Sequence, residues 1–225
     1  MSETKTHGNE IVISGHVQEL VANPSALGLF GLAIVTLVAC TSKLGITDGT
    51  AMIIPWALFL GALAQFVAGL LDFKHNNTFG ATAFCAYGFF WFGMALSWMF
   101  SNGMFGLADK GVVIDMHQLG FAFLGYFIFT VIMTFGAMGA NKVLFIIFFL
   151  IDLLFLGLFM DTLGVGGHFW HSLAAWSELG IAIMSFYGVA VNVLNSHYGF
   201  TVVPPGKPFG PLHKAKEAMS KSISA

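Results

Sequence analysis

The sequence predicts an all-α polytopic membrane protein with six transmembrane helices, and three observations carry that prediction. Six apolar stretches between Leu27 and Asn195 each reach the roughly 20 helical residues needed to cross a hydrocarbon core about 30 Å thick. No charged residue falls between Gly49 and Leu71, or between Phe79 and Ala108. The chain is 57% hydrophobic and 9% charged, against roughly 45–50% and 25% in soluble domains. Open strands are excluded as spans, because an unpaired backbone group in lipid costs several kcal/mol.

Residues 1–22 read as a polar N-terminal tail, with 11–20 a short interfacial piece. They lack the apolar block of a secretory signal peptide. The first span, 26–45, follows Asn23-Pro24-Ser25. Asn23 can cap the helix, and Pro24 suits a first turn that needs no N–H from it. The second span, 50–72, follows the breakers of Lys43-Leu-Gly-Ile-Thr-Asp-Gly49. The third, 79–101, follows His75-Asn-Asn77. A longer connection through Ser101-Asn-Gly103 and Asp109-Lys-Gly111, its 105–107 tip at the interface, leads to the fourth, 116–138. The turn Gly139-Ala-Asn-Lys142 introduces the fifth, 142–161, and Gly164-Val-Gly-Gly167 the sixth, 172–195. Beyond Pro204-Pro-Gly206 the Lys-rich tail 207–225 is expected to stay polar and without structure at its end. One transmembrane domain, 23–206, therefore lies between two tails.

Lysine placement gives the orientation. Six spans put both termini on one side, which holds seven lysines (Lys5, Lys74, Lys142, Lys207, Lys214, Lys216, Lys221) against two, Lys43 and Lys110, on the other. The positive-inside rule then places both termini in the cytoplasm, with the chain in the cytoplasmic (inner) membrane. A net charge of −2 without a basic patch excludes nucleic acid as a partner. There is no phosphate loop, Walker-type lysine or Ser-His-Asp set, so no enzyme is predicted and no cofactor is implied. The chain has no Arg, so an anion must be held by neutral donors, a helix N-terminus or Lys. Cys40 and Cys85, both inside apolar segments, read as small buried hydrophobes.

Three segments carry candidate chemistry. The capped start at Asn23 offers free N–H groups and a partial positive charge suited to a small carboxylate, or is simply a well-made helix start. Gln65 is an amide in mid-membrane on the Gly61–Gly69 face, pointing either into a pathway or into an interhelical hydrogen bond. In the third span Thr78, Thr82 and Tyr87 are interleaved with aromatics. Their hydroxyls can replace part of an anion's hydration shell, or the threonines can bond back to their own helix. The Tyr87 ring, with one polar edge, can line a neck while bonding a passing carboxylate. Small residues at Gly28, Gly31, Gly61, Ala64, Ala68 and Gly69 form stripes that serve packing within the protomer or an oligomer seam.

Other polar residues leave more open. Asp152 at the middle of the fifth span costs about 2.5–3.5 kcal/mol on insertion scales, so it is either a candidate proton relay or a hydrogen-bonded packing group. Glu178 reads as complementing the N-terminus of the sixth helix near an interface. His168 and His171 read as interfacial, but with His117 they support a rival reading, a haem- or metal-binding oxidoreductase subunit. A Soret band would favour that rival.

The three segments together resemble the acetate uptake transporter family of six-helix acetate/succinate permeases. Asn23–Leu29 is similar to its signature Asn-Pro-x-Pro-Leu-Gly-Leu. The later segments resemble its Gly-x-x-x-Gln-x-x-Ala-Gly and Asn-Thr-Phe-Gly-x-Thr-Ala-Phe-x-x-Tyr-Gly-x-Phe-Trp blocks. The likeness extends through Trp176, Tyr187, Asn195 and Pro204. It implies transport of acetate and other short-chain carboxylates, succinate among them, channel-like or proton-coupled, by a homo-hexamer with one central pathway per protomer. It also implies a constriction at Leu32, Tyr87 and Ile151, with Asn23, Gln65, Thr78 and Thr82 toward the substrate. Two positions depart from the pattern. Ala26 replaces the second proline, and Leu32 replaces a usual Phe, which implies a wider or less aromatic neck.

Overall fold

The computed structural model describes residues 22–223, apart from the side chains of Ala108, Lys216, Glu217 and 220–223. The expected interfacial piece at 11–20 lies outside them. The described chain is all-helical. The spans are α1 (Ser25–Lys43), α2 (Ile53–Lys74), α3 (Thr78–Ser101), α4 (Met116–Met138), α5 (Lys142–Thr162) and α6 (His168–Tyr198). A further helix, α7 (Pro211–Ile223), follows. The chain therefore alternates between two ends of the bundle. The near end holds the starts of α1, α3 and α5 and the end of α6; the far end holds Lys43, Ser101, Met116 and His168.

Local chemistry explains the boundaries. Asn77, Asp115 and Asn141 each accept a backbone N–H in the first turn of the helix that follows, which satisfies a donor the helix itself cannot. At the far end Gly167, at φ 65°, turns the chain into α6 in a conformation that side chains resist. This helix runs 31 residues, four earlier and three later than the expected 172–195. At 1.5 Å per residue it is about 46 Å long and overshoots a hydrocarbon core. The amphipathic residues at its two ends hid that length from an apolarity count. Within α2, the stretch Ala57–Ala64 is π-helical and ends at Gln65.

The spans pack as a ring. α1 lies along α6, α6 along α5, α5 along α4, and α2 joins α1 to α3. The α3 and α4 backbones scarcely meet, so rings fill that seam: Tyr87 against Phe129 at 5.7 Å and Phe90 against Tyr126 at 4.9 Å. The small residues are spent inside the protomer. A Cβ on Gly31 would strike the Leu60 carbonyl oxygen, one on Gly61 would meet the Trp91 ring, and Ala64 and Ala68 are buried. Those stripes are therefore intramolecular packing. Of the six spans α4 is the least buried, exposing Phe121, Ile128, Ile132 and Phe135.

Two expectations are corrected. The tail is not without structure, since α7 forms within it and a strap at 199–210 is pinned across the near end. Tyr187 Oη donates to the Pro204 carbonyl (2.9 Å), Val143 N–H to Pro205 (3.1 Å) and Phe209 N–H to Met138 (2.9 Å). Glu178 does not complement a helix N-terminus. It lies roughly three turns inside α6, is 2% exposed, and accepts from Lys43 Nζ at 2.9 Å.

Candidate functional site

A cavity of about 240 Å³ occupies the near half of the ring, lined by α1, α2, α3, α5 and α6. Its mouth is built by three helix starts, α3 and α5 capped by an asparagine and α1 preceded by one that turns the chain ahead of its Pro24 cap. Asn23 Oδ1 accepts from Ser25 N–H at 2.9 Å, Asn77 Oδ1 from Gly80 N–H at 3.1 Å, and Asn141 Oδ1 from Leu144 N–H at 2.9 Å. All three asparagines line the cavity, as does Asn192 of α6, which accepts from Asn23 Nδ2 at 3.2 Å. Each helix start carries about half a positive charge from its aligned peptide dipoles. Three converge here, with no ionised side chain among the lining residues. Asn141 and Asn192 were not among the sequence candidates. Asn141, immediately before the apolar run of α5, carried a legible cap signature; Asn192, mid-helix, carried none.

Behind the mouth the walls turn apolar, through Leu29, Phe79, Phe84, Ile147 and Phe148. Gln65 interrupts them. It is 1% exposed, it lines the cavity, and its Nε2 has no partner among the described residues. A buried N–H group left without an acceptor costs about 1–3 kcal/mol, which a carboxylate oxygen in the cavity would recover.

The neck residues come together as expected. Leu32, Tyr87 and Ile151 are buried and line the same cavity. They lie nine to ten residues along their helices from Asn23, Asn77 and Asn141, about 14–15 Å at 1.5 Å per residue, or half a hydrocarbon core. One expectation changes. Thr130 Oγ1 donates to the Tyr126 carbonyl at 2.7 Å, so at the 2.8 Å contact with Tyr87 it is the tyrosine O–H that donates. The Tyr87 hydroxyl is thus turned to α4, and the cavity meets the ring. One turn past Ile151, Phe155 (1% exposed) closes the far side, its ring 6.4 Å from Tyr87, 5.0 Å from Phe90 and 5.5 Å from Tyr126.

Other candidates fall elsewhere. Thr78 and Thr82 are exposed on the outer side of α3 and do not line the cavity, which takes Asn77, Phe79, Gly80 and Ala83 from the same turns. A helix carries its faces at 3.6-residue intervals, so a polar residue one position off points elsewhere. Asp152 is buried between α4 and α5, outside the cavity lining; its Oδ2 accepts from Thr134 Oγ1 at 2.7 Å. His117 contacts Asp115 at 3.0 Å. Both ring nitrogens of His171 are taken, Nδ1 by Asp161 Oδ2 and Nε2 by the Lys43 carbonyl, each at 3.0 Å, which leaves no lone pair for haem or metal.

Six helices long and apolar enough to span a membrane, ringed around a cavity open at one end, define a helical membrane protein of the transporter or channel class. Residues 10–208 match the profile of the GPR1/FUN34/yaaH family, and the chain belongs to that family. Among its relatives, the succinate-acetate/proton symporter SatP of Escherichia coli (strain K12) is 34% identical over 188 residues, 83% of this chain and 96% of that protein. Acetate permease A of Emericella nidulans is 30% identical over 221 residues, covering 87% and 70%. The solved structure of the bacterial acetate channel SatP superposes with a TM-score of 0.77 at 32% identity, over 83% of this chain and all of that one. The resemblance read from the three motifs thus holds, and nothing in these likenesses supports the haem reading.

Proposed function

We propose that the protein passes acetate and other short-chain carboxylates, succinate among them, across the cytoplasmic membrane, with both termini cytoplasmic. The observation that carries this reading is the mouth: three helix starts, each with an asparagine beside it, facing one cavity whose lining holds no ionised group. Neutral dipoles attract a carboxylate without trapping it, which suits a conduit that must also release. The anion exchanges its water for N–H donors at the mouth, meets the Gln65 amide, and then reaches the apolar neck of Leu32, Tyr87 and Ile151. A narrow apolar neck rejects bulky anions by size and inorganic ions by the cost of stripping their water.

Asn23 and Gln65 are therefore assigned to substrate, joined by Asn77, Asn141 and Asn192, while Thr78 and Thr82 are not. Asp152 is assigned to packing, because it lies outside the cavity lining with its Oδ2 held by Thr134, although its buried Oδ1 has no partner among the described residues. Assembly as a homo-hexamer is supported by family membership and by the apolar outer face of α4; native mass measurement in mild detergent tests it, and a stable monomer counts against it. The decisive experiment is labelled-acetate uptake into proteoliposomes with and without a pH gradient. Uptake above protein-free vesicles is expected, and stimulation by the gradient separates proton coupling from channel-like flow. No uptake under either condition would overturn the proposal.

A further inference from the structure

The family match ends at residue 208, three residues before α7 starts. The position of α7 is fixed. Phe209 donates its N–H to the carbonyl of Met138, the last residue of α4, and its ring packs edge-on against Phe145 at 4.9 Å. The helix therefore leaves the body at the level where a spanning helix ends, which is a bilayer surface. Its chemistry is two-sided. Leu212 (67% exposed), Ala215 and Met219 (66% exposed) recur at the spacing of one helical face. The helix sequence carries Lys214, Lys216 and Lys221 against a single acid, Glu217. Lys142 and Lys207, both exposed, add positive charge at the same level.

A short helix with modest overall hydrophobicity, one apolar face and a lysine-rich remainder lies in a membrane interface plane, held jointly by apolar insertion and by anionic headgroups. Basic residues near the surface of an anionic leaflet each add to that attraction. Because the strap ties α7 beside the bilayer, even a weak contact is formed intramolecularly and stays occupied. We propose that α7 is a docking helix for anionic phospholipid on the near leaflet, with Leu212 and Met219 dipped among the acyl chains and its lysines on the headgroup phosphates.

Trypsin cleavage after Lys214 in the full-length protein reads this directly, because Lys207 precedes Pro208 and is a poor tryptic site. The protein is placed in nanodiscs of phosphatidylcholine alone or with phosphatidylglycerol, and cleavage is followed by mass spectrometry. Cleavage about tenfold slower in the anionic discs is expected, since three lysines act together. The protection should vanish near 1 M salt, where the screening length falls to about 3 Å. K216E/K221E, which keeps the Lys214 site, should be cut at similar rates in both discs. Equal rates for the unmodified protein in both lipids would overturn the proposal. So would equal protection in anionic discs and in detergent, which would place α7 against protein instead. Acetate uptake is not read in this experiment, so its failure leaves the transport reading standing.

Discussion

The two ends of the ring solve opposite problems with different residues. At the near end Asn23, Asn77, Asn141 and Asn192 surround an open cavity with neutral donors and helix starts. At the far end ionised groups bind helices to one another. Lys43 Nζ meets Glu178 at 2.9 Å, while His171 bridges Asp161 on α5 and the Lys43 carbonyl on α1. One end attracts an anion without binding it hard. The other ties α1, α5 and α6 together. A protein can thus use its ionised groups for cohesion and leave solute handling to dipoles.

The sharpest test of this division is the far-end pair. Lys43→Ala leaves Glu178 buried without its partner, and breaking a buried pair costs about 3–5 kcal/mol. Thermal unfolding of the purified protein should shift down strongly, while Glu178→Gln shifts it less. An unchanged unfolding temperature in Lys43→Ala would show that the pair does not hold the far end. At the near end, Gln65→Leu keeps the volume but removes the unpartnered N–H. A hydrogen bond to a charged group contributes about 1.5–3 kcal/mol, so the concentration for half-maximal acetate uptake should rise roughly 10- to 100-fold, with folding intact. Unaltered uptake would take Gln65 out of the pathway.

Smaller effects probe the boundary between the two regions. Tyr87→Ala should admit larger monocarboxylates such as lactate. Tyr87→Phe should keep the acetate selectivity, because the hydroxyl donates to Thr130 and not to the cavity. Loss of selectivity in the phenylalanine variant would return the hydroxyl to the pathway. Asp152→Asn should leave both gradient-driven and exchange fluxes near wild type. If it abolishes only the stimulation by a pH gradient, Asp152 is a proton relay after all. The least effect belongs to Asp115, whose carboxyl the His117 backbone N–H holds below the ordinary carboxylate range. A depressed value means that this cap contributes at and above the ordinary range and is lost as pH falls through the depressed one. Amide exchange at the start of α4 should quicken only in acid.

Much of this was legible in the residues because the bilayer restricts the alternatives. Six spans, Gln65 and the Leu32, Tyr87 and Ile151 set all follow from apolar length and motif position, whereas Asn23, expected to cap α1, instead turns the chain ahead of its Pro24 cap. What stayed hidden depended on which way a helix face turns. Thr78 and Thr82 lie within a turn of Asn77 and Gly80 yet face outward, and only the packing of α3 against α2 decides that. Glu178 could not be paired with Lys43 from sequence, since 135 residues separate them. Asn192 likewise joins the mouth only because α6 lies along α1. The tail helix α7 was missed because a lysine-rich segment reads as solvated until its apolar positions are laid on one face.

The depth of the cavity also decides where the membrane voltage acts. Water filling this cavity of about 240 Å³ would form a short column reaching toward the neck. Such a column carries the near-side electrical potential inward as far as the neck. With such a column in place, most of the potential difference would fall across the remaining half-thickness, between Ile151 and the far face. An acetate ion entering the mouth therefore feels little of the membrane potential. It meets most of the energy of about 2.3 kcal/mol per 100 mV in the single step past Phe155.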